Sequence, residues 1–199
     1  MTIQANLVIP FFSDNFNREE IGADWLIESG DVSIENNTLK LRADDNSERS
    51  WLRLNKSFIE GDIEFDWYSD HNANNGSDMR FKFMATGDLN TSASWSQEGY
   101  QVQWETWNAS GGFPMRLYRL NGSTSTVLGD FSLSLEEGRN TWHNMRIEIT
   151  GSEIKIYHNN ELQITTNDTT YRGEGDFIFG GREGINRTVF YNNFSIGDD

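Results

Sequence analysis

The sequence predicts an all-β fold, a two-sheet antiparallel jelly-roll β-sandwich. Three observations carry that expectation. Short runs of alternating apolar and polar residues recur from one end of the chain to the other. No stretch of ten or more residues keeps a helical period. Clusters of Gly, Asn, Asp and Ser punctuate the runs, as turns between short strands require. About a dozen strands at this spacing bury their apolar faces by packing as two sheets.

Residues 32–41 read as two short strands around an Asn36-Asn37 turn, and residues 51–58 as another strand closed by Glu60-Gly61-Asp62. Ile63, Phe65 and Trp67 alternate with Glu64, Asp66 and Tyr68, so one face goes to the core and the other to water. Met79, Phe81 and Phe83 alternate with Arg80, Lys82 and Met84 in the same way. The second half repeats the habit at 100–107, 115–120, 126–131, 145–150 and 154–158. Asn159-Asn160 before residues 161–165 predicts a hairpin, and 177–180 and 188–196 close the chain. The only helical turn expected lies at residues 18–21.

With 199 residues, only two prolines and no repeat or low-complexity run, the chain is expected to form a single domain over residues 1–199. That length buries enough surface to fold without a disulfide or a structural metal. The absence of cysteine excludes disulfides and thiolate chemistry. Sixteen Lys and Arg stand against 31 Asp and Glu, a formal net charge of −15. Nucleic acid and anionic membranes need clustered positive charge, so neither is an expected partner. No apolar run approaches the roughly 18 residues of a membrane-spanning helix. The first twelve residues lack the basic start of a signal peptide. Richness in Asn, Ser, Thr, Gly and aromatics suits an exported protein, so an extracellular or cell-surface location is expected. In such a composition, Asn-x-Ser/Thr triplets such as those at Asn36, Asn75, Asn121 and Asn186 arise by chance.

An ordered set of segments adds to this reading. Phe12-Ser13-Asp14-Asn15-Phe16 is followed by Trp25, the strand at 30–34 and Asn36-Asn37-Thr38-Leu39. Gly99-Tyr100-Gln101-Val102-Gln103 marks the middle. Trp142-His143, residues 154–157, the Gly-rich 173–181 and Phe190-Tyr191-Asn192-Asn193-Phe194 come last. Spanning nearly the whole chain, this set resembles the concanavalin A-like lectin/glucanase superfamily. The likeness is greatest to its laminin-G-like and 3-keto-disaccharide-hydrolase-like bacterial domains. The resemblance implies a concanavalin A-like sandwich with glycan bound on its concave sheet.

Two departures bear on catalysis. The laminarinase branch carries Glu-x-Asp-x-x-Glu on one strand, a nucleophile and an acid/base on one sheet face. Here Glu64-Phe65-Asp66-Trp67-Tyr68-Ser69-Asp70 lacks the last Glu. The 3-keto-hydrolase-like branch continues its Gly-Tyr strand as Glu-x-Gln-x-Asp, whereas this chain has Gln101-Val102-Gln103-Trp104-Glu105.

If the apolar alternates around Ile63, Met79 and Val102 all enter the core, their partners share one outer face. That face would carry Glu64, Asp66, Tyr68, Arg80, Lys82, Gln101, Gln103 and Glu105, with Arg116 and Tyr118 beside them. Planar polar groups suit sugar hydroxyls, and Arg or Lys pairs with a uronate or sulfate. Cross-strand ion pairs on a solvated face are the plainer account. Trp95 and Trp107 lie in turn-rich segments and are expected to stack on sugar rings. Trp25, Trp51, Trp67, Trp104 and Trp142 are expected in the core.

The resemblance also implies a structural Ca2+ between the first and last strands, held by Asp14, backbone near Gly61, and Asn192 or Asn193. Capping a turn is the plainer role for Asp14. Asp70-x-Asn72-x-Asn74-Asn75-Gly76 departs from an EF-hand loop at its glycine and at position twelve. No histidine pair has zinc-type spacing. His143 is expected to be structural, and His71, beside Asp70, is the one histidine kept as a candidate base.

Three functional readings result. In the first, the chain binds a polysaccharide or oligosaccharide without cleaving it. In the second, it is a glycoside hydrolase or polysaccharide lyase using Glu64, Asp66, Glu105 and His71 as acid and base. In the third, it is an adhesive or structural module with a protein partner.

Overall fold

The structure, a computed structural model, describes residues 11–42, 49–57, 61–70, 79–89, 97–104, 113–138, 140–181 and 188–197. Its strands form two antiparallel sheets. Sheet I holds β1 (Phe12–Asp14), β3 (Asp31–Glu35), β4 (Thr38–Arg42), β6 (Asp62–Asp70), β11 (Trp142–Thr150), β12 (Glu153–His158), β13 (Glu161–Asn167) and β15 (Thr188–Gly197). Sheet II holds β2 (Trp25–Ser29), β5 (Ser50–Leu54), β7 (Met79–Thr86), β8 (Glu98–Trp104), β9 (Phe113–Asn121), β10 (Ser125–Leu133) and β14 (Asp176–Gly181). The order is β13-β12-β11-β6-β15-β4-β3 in sheet I, with β1 on β15, and β10-β9-β8-β7-β14-β5-β2 in sheet II. The two-sheet antiparallel sandwich expected from the alternation is therefore present.

The turns form where the sequence places them. Asn36 and Asn37 adopt φ of 51° and 60°, and Asn159 and Asn160 adopt 50° and 66°. Two successive positive φ values match the twist of the flanking strands, and Asn tolerates them better than most residues. Residues 18–20 form bends, and no helical turn forms over 18–21 as expected; the Arg18 amide bonds to the Phe16 carbonyl at 2.8 Å. Among the described residues the only helix is α1 (Leu135–Gly138). There Ser134 caps the Glu137 amide at 3.1 Å while the Glu137 carboxylate accepts from the Ser134 amide at 2.9 Å.

Aromatic side chains bridge the sheets. The Phe65 ring on β6 lies 4.7 Å from Phe81 on β7, and Trp67 lies 5.3 Å from Trp104 on β8. Trp25, Trp67 and Trp104 occupy this core as expected. Trp51 and Trp142 do not. Leu52 and Leu54 point inward, so Trp51 points out of sheet II, where it packs in a separate buried cluster with Ala85 and Ile178. His143 and Met145 are buried, so Trp142 falls on the outer face of sheet I and is 45% exposed.

Candidate functional site

Strand pairing lays two rows of outward side chains across sheet II. The first runs Trp51, Gly180, Arg80, Gln103, Arg116, Asp130 from β5 to β10. The second runs Arg53, Ile178, Lys82, Gln101, Tyr118, Val127. Six residues expected from the sequence to bind ligand thus come together: Arg80, Lys82, Gln101, Gln103, Arg116 and Tyr118. Outward positions on a sheet usually face water. Here Lys82 and Gln101 are 0% exposed and Gln103 is 2% exposed.

The Gln101 amide donates to Gln103 Oε1 at 2.8 Å, while Gln101 Oε1 is buried without a hydrogen-bond partner. Arg116 donates to the Tyr118 hydroxyl at 3.4 Å. Lys82 Nζ donates to Gln97 Oε1 at 3.2 Å and sits 4.6 Å above the Trp51 ring. Burial, followed by the positive charges of Arg80, Arg49 and Arg53, brings the Lys82 pKa down to about 7. Arg53 is itself paired with Glu28 at 2.7 Å and Asp176 at 3.1 Å.

Trp51 belongs to this site too, and the strand alternation from Leu52 and Leu54 is the signal that could have found it. Its ring lies directly over Gly180, where an added Cβ would come within 2.1 Å of it. A larger residue at position 180 would displace the ring and with it the platform beneath Lys82.

The shared face expected for all the polar alternates does not form. Glu64, Asp66 and Tyr68 stand on β6 in sheet I, while the six residues above stand on β7, β8 and β9 in sheet II. Consecutive strands with the same alternation have entered different sheets, so their outer faces look in opposite directions. On sheet I, one Asn144 amide nitrogen donates to Glu64 at 2.9 Å and to Asp66 at 3.0 Å. Asn193 adds a second donor to Asp66 at 2.7 Å. His71, Trp95, Glu105 and Trp107 lie outside the described residues.

The residues proposed for calcium do not make an oxygen cage. Both Asp14 oxygens are engaged: Oδ1 with the Phe16 amide at 2.8 Å and Arg18 at 2.7 Å, and Oδ2 with Arg18 at 2.6 Å and Trp25 Nε1 at 2.7 Å. The Arg18 guanidinium already supplies the positive charge. Burial pushes the Asp14 carboxyl up, yet these hydrogen bonds and the Arg18 charge hold it below its ordinary value. Asn193 shares a hollow with Asp14 and Arg18, but its side-chain amide donates to Asp66, and Asn192 Oδ1 accepts from the Asn193 backbone N–H. Gly61 packs against Gly197 at the end of β15, away from the Asp14–Phe194 pair. Among the described residues no group of three or more His, Asp or Glu is placed to hold a metal ion.

His143 is buried as expected, with a partner the sequence does not announce. His158 Nε2 lies 3.0 Å from His143 Nδ1, and His143 stacks on Trp67 at 4.4 Å. The pair borders a hollow of about 530 Å³ that also contains Glu137, Glu161 and Phe131.

This architecture has known counterparts. Residues 12–196 match the family model of the 3-keto-alpha-glucoside-1,2-lyase-like domain, and the chain belongs to that family. Solved structures of similar shape include the carbohydrate-binding module CBM66 from Bacillus subtilis, at 17% identity and a TM-score of 0.66 over 86% of this chain and 93% of that one. The laminarinase catalytic domain from Thermotoga petrophila matches at 10% identity and a TM-score of 0.70, covering 96% and 98%. A Bacillus subtilis protein of galectin-like fold matches at 12% identity and a TM-score of 0.78, covering 96% and 98%. No curated protein matches at the sequence level. At these identities the structures share the fold, which hosts both binding modules and glycan-cleaving enzymes.

Proposed function

We propose that the chain binds an oligosaccharide or polysaccharide, without cleaving it, on the outer face of sheet II. One observation carries the reading: polar side chains from three adjacent strands point outward in register, yet are shielded from water. Burying polar groups is costly unless they are satisfied, so this buried row serves as a fixed base, and a ligand meets the face at its accessible members, half-buried Arg116 and exposed Asp130. The likeness to a carbohydrate-binding module agrees with this reading, as does a composition suited to work outside the cytoplasm.

Cleavage is the second reading, and one observation favours it. Glu64 and Asp66 bind the same Asn144 nitrogen, which brings two carboxylates within reach of a single glycosidic linkage. Native gels containing soluble polysaccharides separate the two. Binding retards the wild-type protein, leaves the polymer intact, and is weakened in the Gln101→Ala/Gln103→Ala variant. Shortened polymer that depends on Glu64 and Asp66 would establish cleavage instead.

A further inference from the structure

We propose a second carbohydrate-binding surface on the opposite side of the sandwich, where Trp142, Tyr68 and Phe190 form an aromatic strip for an uncharged polysaccharide chain. The strip goes beyond the sheet II face, from which the whole core separates it.

Strand register builds it. Trp142 on β11 pairs with Tyr68 on β6, and Tyr68 pairs with Phe190 on β15, so three outward rings stand side by side across three adjacent strands. Ring centroids are 5.5 Å apart for Trp142 and Tyr68 and 5.9 Å apart for Tyr68 and Phe190. Trp142 is 45% exposed, and the other two rings are half-buried beside it. A large ring left in water at the start of a strand, with two more aligned behind it, gains nothing for the core.

The next row along the same strands supplies polar partners. Asn144 pairs in register with Asp66, and Asn192 pairs with Asp66 from the other side. Asp66 accepts one bond at each oxygen, from Asn144 and from Asn193. A carboxylate has about four acceptor sites, so both oxygens retain capacity for a hydroxyl. Glu64 lies one step further along. A sugar can therefore lay its C–H face on the rings and turn its hydroxyls to fixed carboxylates and amides.

The same features select the occupant. Glu64 and Asp66 repel a polyanion on a chain whose net charge is already −15. A stable protein partner needs about 800 Å² on each side with an apolar centre. One exposed tryptophan flanked by two half-buried rings falls well short of that, and the adjoining row is polar.

The test uses the whole chain and gel retardation by laminarin, hydroxyethyl cellulose and xylan, with dextran sulfate as the anionic control. Because Trp142 is exposed, Trp142→Ala leaves the core intact, which thermal unfolding verifies. We expect Trp142→Ala to weaken retention on at least one neutral polymer about tenfold. The loss should persist in the Gln101→Ala/Gln103→Ala background, which separates this strip from sheet II. Wild-type retention unaffected by Trp142→Ala, or confined to dextran sulfate, would overturn the proposal. So would no retention on any of the neutral polymers. Sedimentation showing that the wild type self-associates and the Trp142→Ala variant does not would assign the strip to a protein contact instead.

Discussion

Lys82 Nζ stands 4.6 Å above the ring of Trp51, and both side chains are fully buried although both point away from the main core. A lysine in that position is costly to charge. Among the described residues no carboxylate pairs with it, and the charges acting on it are those of Arg80, Arg49 and Arg53. The arrangement has energetic consequences that can be measured without knowing the ligand.

The first concerns pH. The Lys82 pKa is about 7 in the folded chain, against 10.5 for an unperturbed lysine. Between those values the unfolded chain binds a proton that the folded chain does not, so stability rises with pH across that window. Below pH 7 both states are protonated and the full cost is present. Lys82 should thus add a slope of up to about 1.4 kcal/mol per pH unit between pH 7 and 10. Denaturant melts of wild type and Lys82→Met over that range should show the slope in the wild type alone. Tyr100, pushed up to about 12 by burial and by its bond to Asp168, acts in the opposite direction only above pH 10.

The second concerns acid. His158 is brought down to about 4, by burial and then by the neighbouring His143, whose own pKa burial also lowers. Between pH 6.5 and about 4 the unfolded chain takes up a proton at His158 that the folded ring refuses, and the lowered His143 acts in the same direction. Stability should therefore fall as pH drops through this window. His158→Gln removes one of the two groups and should flatten the acid limb of the stability curve. An unchanged limb would mean that His158 titrates in the folded chain as it does in the unfolded one.

The third concerns Asp14. Its carboxylate holds Arg18 in a bidentate pair, with the Arg18 side chain about one-third exposed and Asp14 nearly buried. Solvent screening reduces what the pair contributes, and Asp14→Asn should cost about 1–3 kcal/mol. Because Arg18 already provides the cation, neither Ca2+ nor a chelator should move the melting temperature. A rise of several degrees with Ca2+ would show that the side chains rearrange to admit the ion.

Much of the fold is legible in the sequence because it rests on local chemistry. The alternation of Ile63, Phe65 and Trp67 places one face of β6 in the core, and the Asn pairs at 36–37 and 159–160 set two hairpins. Sheet membership is not local. β6 and β7 show the same alternation, but β6 pairs with the distant β15 while β7 pairs with β14 and β8. Alternation separates inside from outside without telling which sheet, which is why Glu64 and Asp66 stand on the far side from Arg80 and Lys82. Trp51 and Trp142 illustrate a different failure. Period two, counted from Leu52 or from Met145, puts each outside its sheet; the preference of tryptophan for burial still holds for Trp51, fully buried there, and fails for Trp142, which is 45% exposed. The His143–His158 contact and the Arg18 clasp on Asp14 depend on side-chain geometry that spacing does not encode.

The most direct test of the central claim is to map backbone amide shifts by NMR while titrating in an oligosaccharide of the polymer that retards the protein. Binding on sheet II should perturb Lys82, Gln101, Gln103 and Arg116, whether or not the strip around Trp142 responds as well. Saturable binding that leaves all four unmoved would contradict the account.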